Sequence, residues 1–486
     1  MPCWRRPTGP STGPSGPVAT GSWPPHPGRR NPPRNPPDPL APACRFRHPA
    51  AMSTAPTWYH ARTPAPPPRP PLQGAVDARF CIVGGGLAGL ATALSLAERG
   101  QAPVLLEASR IGCGASGRNG GMASTGLTRP LAWLQRRCGP EHARRMYAES
   151  REALRLIRRR IATHAIPCDP VDGVLEASWF DTRGRLREEV ERLNRAFDMR
   201  LEYWPRERLR ECYRSPRYHD GVLDPEGFHL DPLALCRGYA AAIETLGGRL
   251  FEDSPAVHCR RRGDGFEILT EGGRVRAEQL VLCPNVYGPS CCPRLARALL
   301  PVVSYVIVTE PLGERLREAI RAPYAVFDDR MATGYYRPLP DGRLLWGGRV
   351  ALFERRRGIA ELMRRDLAEV YPQLAGVPVA HAWSGRMGFA RHKMPVIGRI
   401  APGLWVAAGF GGHGLNTTTM AGELVARGLL EDDRGWEPFA AFGLPWVADG
   451  LGRLVAQGYY WAYGLRDRAL SLWTGMRGGL AKGRSK

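Results

Sequence analysis

Three glycines, Gly84, Gly86 and Gly89, follow the apolar run FCIV and open the stretch LAGLATALSLAERG. In a G-x-G-x-x-G turn the first glycine permits the tight bend, the second lets the backbone approach a pyrophosphate, and the third lets helix and strand pack closely. The start of the helix adds unpaired N–H groups and a dipole that favours anions. Glu107 lies 23 residues after Gly84, at the end of the second apolar run APVLLEA, where a carboxylate accepts from a ribose 2′-OH. This pattern predicts dinucleotide binding, and an acid at 107 argues against NADP. It leaves NAD and FAD open. A second glycine stretch, GCGASGRNGG over 112–121, suits close backbone approach to a flat ring. Arg118, Asn119 or backbone donors there would stabilise negative charge on a reduced flavin, a role a nicotinamide would leave unused.

These residues need a strand, a turn and a helix to hold them. RFCIVG, LAGLATALSLAERG and APVLLEA read as a βαβ unit, which implies a right-handed crossover and a parallel sheet. Helical, charged segments follow over 131–161 and 183–200, and Asp231-Pro232 caps a further long helix. Residues 300–380 are dominated by strands with aromatic residues, broken by a helix around 358–370, and form the floor and lid of a substrate pocket. GLWVAAGFGGHGLNTTTMAGELVARGLLE repeats the order strand, glycine turn, helix.

The chain has 486 residues and 43% hydrophobic composition, with no apolar run long enough to span a bilayer. It is expected to be globular and cytoplasmic. The net charge is +22, yet only Lys393, Lys482 and Lys486 are lysines and the arginines are spread along the chain, which reads as compositional bias and not as a nucleic-acid surface. Twelve cysteines show no C-x-x-C spacing, so no metal site is expected. Residues 1–51 are proline-rich without the apolar core of a secretory signal, and Met52 offers a second start.

The segments CIVGGGLAGLATALSLAERG, LLEASRIGCGASGRNGG, LVLCPN, SGRMGFARHKMPVIG and GLWVAAGFGGHGLNTTTMAGELVA together resemble the FAD-dependent D-amino-acid oxidase superfamily, nearest its gamma-glutamylputrescine oxidoreductase-like branch, over about residues 56–430. The resemblance implies an α/β fold: a discontinuous Rossmann-like FAD-binding domain with an inserted α+β substrate domain on a mostly antiparallel sheet. The expected division is a disordered leader and linker over 1–77, FAD-binding segments over 78–135, 221–298 and 385–435, substrate-domain segments over 136–220 and 299–384, and a helical tail over 436–486. Gly84, Gly86, Leu87, Ala88 and Gly89 would hold the pyrophosphate, and Glu107 with Ala108 the adenosine ribose. Arg118, Asn119, Gly120 and Gly121 would run past the isoalloxazine. Phe410, Gly411, Gly412, His413, Gly414, Leu415 and Asn416 would pass the ribityl chain and pyrimidine edge, and Val257 the adenine. No cysteine follows Cys292, which favours non-covalent FAD over attachment through a carboxy-terminal cysteine.

The implied reaction is oxidation of a C–N bond in a small amine or amino-acid-like substrate. Hydride passes to flavin N5, the imine hydrolyses, and O2 reoxidises the flavin to give H2O2. The alternatives are a dehydrogenase using an electron carrier and a non-catalytic flavoprotein acting through a partner. No dedicated catalytic base is nominated. Substrate-side candidates are Tyr305, Tyr335, Tyr336, Trp346, His381, Trp383 and Arg386, the aromatics as an amine channel and Arg386 as a carboxylate fork. Lys393 suits either the flavin side or solvent. The aromatic, arginine-bearing tail suits helices packed on their own chain, an oligomer contact or a peripheral membrane surface.

Overall fold

The computed structural model describes residues 56–288, 292–330, 334–355, 357–448, 450–462 and 466. Two sheets share the chain. In the first, Gly74–Val83 lies parallel to Gly273–Leu282 on one side and to Val104–Leu106 on the other. Arg249–Phe251 and Leu404–Ala408 extend it in parallel, and Val396–Ala401 closes one edge antiparallel. A ribbon of His258–Arg262 and Gly265–Leu269 is appended to Gly273–Leu282. The strands Gly74–Val83 and Gly273–Leu282 are buried at their carboxy-terminal halves, as a sheet covered on both faces requires.

The helix Leu87–Ala97 is buried all round. It packs against Gly414–Leu430, where a Cβ on Gly422 would stand 2.5 Å from the backbone of Ala91 and Thr92. It also packs against Pro232–Thr245, which the Asp231 carboxylate caps by accepting from Leu233 N and Ala234 N, both at 2.9 Å. These contacts join three stretches distant in sequence into one nucleotide-binding layer.

The second sheet has nine strands. Its main path runs Val379–Ala390, Leu299–Thr309, Leu344–Ala351, Tyr335–Pro338, Ala325–Asp328, Val171–Ala177, Gly221–His229 and Met122–Ala123, with Glu202–Trp204 beside Gly221–His229. All of its pairings are antiparallel except Ala325–Asp328 with Val171–Ala177. The fold is therefore the discontinuous Rossmann-like domain with an inserted, mostly antiparallel second domain. The strand pairings shift two of the expected borders. Gly221–His229 and the whole of Val379–Ala390 belong to the second sheet, so the chain crosses back after 229 and after 390, and not at 221 and 385. Residues 57–77 are not a disordered linker: Thr57 caps a short helix, Trp58–Arg62, whose Trp58 and Tyr59 are buried, and Leu72 is in the core. Most of the expected leader, 1–55, lies outside the described residues. Among the described residues no helix is long and apolar enough to cross a membrane.

Candidate active site

One cavity of about 1340 Å³ runs between the two sheets. Its first wall begins at the glycine turn. Gly84 has φ +114, and a Cβ there would come within 2.6 Å of the Cys283 carbonyl. A Cβ on Gly89 would meet the Gly84 carbonyl at 1.9 Å, so helix and strand touch only because both residues are glycine. The helix N-terminus at Gly86 has no side-chain cap of its own, although Leu87 N donates to Ser116 Oγ at 2.9 Å. Glu107 is buried and accepts from Gly85 N at 2.6 Å and Ser109 N at 2.9 Å. Burial pushes its carboxyl above the usual range, opposed by those N–H groups. A carboxylate has about four lone-pair sites, so capacity for a sugar hydroxyl is left. Val257 lines the same end of the cavity, and its N–H is used by Leu269 O at 2.8 Å.

The loop 112–121 forms the floor. Asn119 braces it from within: Nδ2 donates to Ala115 O and Ser116 O, and Oδ1 accepts from Gly121 N. Four successive carbonyls are held from outside. Trp383 Nε1 donates to Arg118 O at 2.9 Å, Tyr59 Oη to Asn119 O at 2.8 Å, Arg337 Nε to Gly120 O at 2.8 Å, and Leu230 N to Gly121 O at 2.8 Å. Arg337 also donates to Leu230 O, to Tyr59 Oη and to His229 Nδ1. Neither Arg118 nor Gly121 is among the cavity-lining residues; the Arg118 side chain lies behind the loop, with Nε donating to Cys113 O at 3.1 Å.

At the far end the stretch from Phe410 to Asn416 lines the cavity. His413 precedes the helix Gly414–Leu430, whose N-terminus it leaves without a side-chain cap. Its Nε2 donates to Ser124 O at 3.2 Å, and burial pushes its pKa down to about 4, so the ring is neutral near pH 7. Two helix N-termini therefore open on one cavity, with a backbone-lined loop between them. That donor set fits a dinucleotide with a flat ring at one end.

The second sheet supplies the other wall through Ser304, Phe327, Asp329, Tyr335, Arg349 and Met387. Of the seven substrate-side candidates only Tyr335 lines the cavity. Its ring seats on Gly120 and Gly347, where a Cβ would meet it at 2.7 and 2.0 Å. Side chains alternate along a strand, so its neighbour Tyr336 points the other way, stacked on Trp346 with Oη 2.6 Å from Tyr371 Oη. Ser304 likewise takes the cavity side, and Tyr305 enters the opposite core, accepting from Arg355 N at 2.7 Å. Trp383 is packed with Trp58 and Tyr59 beneath the loop. His381 sits near Arg343, Glu310 and Asp341, away from the lining. Arg386 is paired with Glu354 at 2.6 Å.

Lys393 does line the cavity. Burial and Arg129 push its pKa down to about 8, and Nζ lies 5.4 Å from the Tyr459 ring. Tyr459 and Arg466, from the tail, line the cavity too, as do Thr128, Arg129 and Trp133. Sequence reasoning weighed Lys393 for the flavin side or solvent and did not select the others. The interleaved Tyr and Arg of the tail were the only signal pointing toward it.

The DAO profile, FAD dependent oxidoreductase, matches residues 79–427. The chain is 35% identical over 421 residues to gamma-glutamylputrescine oxidoreductase of Escherichia coli (strain K12), covering 85% of this chain and 98% of that protein. It is 32% identical over 388 residues to the probable oxidoreductase OrdL of Haemophilus influenzae, covering 78% and 89%. Among solved structures it resembles glycine oxidase from Geobacillus kaustophilus, with TM-score 0.63 and 21% identity over 76% of this chain and 99% of that one. L-proline dehydrogenase from P. horikoshii gives TM-score 0.63 and 17% identity, over 76% and 99%.

Proposed function

The chain belongs to the DAO family of FAD dependent oxidoreductases, enzymes of C–N bond oxidation in amines and amino-acid-like compounds; from that premise we propose that it binds FAD non-covalently and oxidises an extended amine of the gamma-glutamylputrescine kind. The observation that carries this reading is that one and the same cavity is lined by the glycine turn, the 112–120 loop, the start of the Gly414–Leu430 helix and the second sheet. Bound FAD would supply the two-electron acceptor. Gly84 to Gly89 would hold its pyrophosphate, Glu107 its ribose, the 112–120 loop its ring, and Phe410 to Asn416 the ribityl side.

The chain's own groups do the rest. Tyr335, Met387, Phe389 and Val350 line the cavity and would shield a bound ring from water. Glu176 and Asp329 line the cavity together with Arg185 and with Arg349, which is paired with Asp366, so both charge signs are present, which suits a substrate with an ammonium at one end and a carboxylate at the other. The cavity exceeds the roughly 300–1,000 Å³ of an ordinary ligand pocket, which supports a cofactor plus an extended substrate. Lys393 can hold or give up a proton at Nζ near neutral pH. Dioxygen is our assigned acceptor. The equal likeness to a named oxidase and a named dehydrogenase supports an electron carrier as the second reading.

The test is anaerobic titration of the purified full chain, reading the flavin absorption band. Bleaching by gamma-glutamylated diamines but not by glycine or proline is expected, with peroxide on readmitting air. Bleaching without peroxide selects the carrier, and a protein that stays colourless after reconstitution with FAD sinks the assignment.

A further inference from the structure

Residues 450–462 are helical. One face of this helix docks on the second sheet beside the cavity: Gln457 Oε1 accepts from Leu352 N at 3.0 Å, Arg453 donates to Leu352 O at 2.7 Å, and Ala456 and Tyr460 pack on the cluster of Val302, Leu352 and Phe389. The opposite face carries Leu451 at 67% exposure, Leu454 at 61%, Val455 at 67% and Trp461 at 68%. Trp446 and Phe353, each more than half exposed, stand near this helix, Phe353 under the Arg453 guanidinium at 5.2 Å. Nearly all the strongly exposed large apolar side chains of the described residues therefore collect in one place. Scattered single exposures are ordinary, but a contiguous patch marks a contact surface.

Charge identifies the occupant. From Asp449 to Lys486 the sequence has seven arginines and lysines against two aspartates, including two of the chain's three lysines, Lys482 and Lys486. Two copies of so basic a segment would repel each other across a shared face. A surface that is apolar below and anionic above accepts both features, and tryptophan and tyrosine favour that boundary. We propose that the 450–462 helix is a peripheral docking face for an anionic lipid bilayer, laid flat with Leu451, Leu454, Val455 and Trp461 among the acyl chains. Because Tyr459 and Arg466 of the same segment line the cavity, docking sets the cavity beside the lipid surface.

The test is sedimentation of the full chain with vesicles of phosphatidylcholine alone or with about a third phosphatidylglycerol. Binding at least about ten-fold stronger to the anionic vesicles is expected, falling as salt is raised from about 0.1 M to about 1 M, with a blue shift of tryptophan emission. The variant Leu454→Glu/Val455→Glu alters only exposed positions, so it should keep the wild-type melting temperature and flavin content while losing binding about ten-fold. Equal binding to both vesicle types, no binding to either, or a vesicle-free dimer abolished by the variant would each overturn the proposal; the dimer would assign the face to a second copy.

Discussion

Arg337 is only 3% exposed, and it is bonded to two carbonyls, a phenol and an imidazole without a carboxylate among them. Its role is positional, since it reaches the cavity only through Gly120. Arg337→Met leaves at least two buried carbonyls short of a donor, each worth about 1–3 kcal/mol. The FAD dissociation constant, read by flavin fluorescence, should rise at least about ten-fold. Tyr59→Phe removes two bonds, to Asn119 O and from Arg337, of about 1 kcal/mol each and should raise it several-fold. His229 adds a pH dependence. Its Nδ1 accepts from Arg337 and its Nε2 donates to Pro323 O, so a second proton would face a guanidinium. Burial and that charge push its pKa down to about 3. The unfolded chain takes up this proton below about pH 6.5 and the folded chain does not, so stability falls as pH falls, by about 2 kcal/mol between pH 7 and 5. Melting curves should show this loss, and His229→Gln, which keeps a neutral donor and acceptor, should reduce it, the share of the likewise buried His413 remaining.

At the scale of elements, the glycines separate folding from cofactor binding. Gly89→Ala drives a methyl into the Gly84 carbonyl and should abolish FAD binding together with a fall in melting temperature. At Gly412 a Cβ meets nothing within 4 Å. Gly412→Ala should leave the apoprotein's melting temperature unchanged and lower only FAD affinity, which a thermal shift with and without FAD would resolve. Periodicity made the strand, turn and helix of residues 80–100 legible in the sequence, and Asp231-Pro232 announced its helix. The substrate wall was less legible, because alternation shows that Tyr335 and Tyr336 face opposite sides but not which side is the cavity. Size and aromaticity drew attention to Tyr305, Tyr336 and Trp346, whereas the cavity takes the inconspicuous Ser304 beside Tyr305 and, next to Tyr336, only Tyr335. Arg386 was chosen for its chemistry, and only the fold reveals Glu354 opposite it.

For the whole molecule, domain borders read from composition missed the strand Gly221–His229, because its pairing with Val171–Ala177 is a long-range choice that local residue types do not record. The same holds for the Trp58–Arg62 helix, whose short sequence has no period of its own and is held by Trp383, Leu233 and the buried loop. A chain shortened through Thr63 should therefore fold with reduced flavin content, measured as the ratio of visible to ultraviolet absorbance. The capture of four successive loop carbonyls by the second domain and its neighbours has a thermodynamic reading. A ligand resting on that loop favours the state in which both sheets are assembled, so FAD acts as a folding ligand for strands that never touch its phosphates. At a hundred-fold excess over the dissociation constant such linkage supplies about 2.7 kcal/mol. Lesions as remote as Trp383→Phe would then emerge in a cell first as colourless, protease-sensitive chains, well before any defect in turnover could be measured.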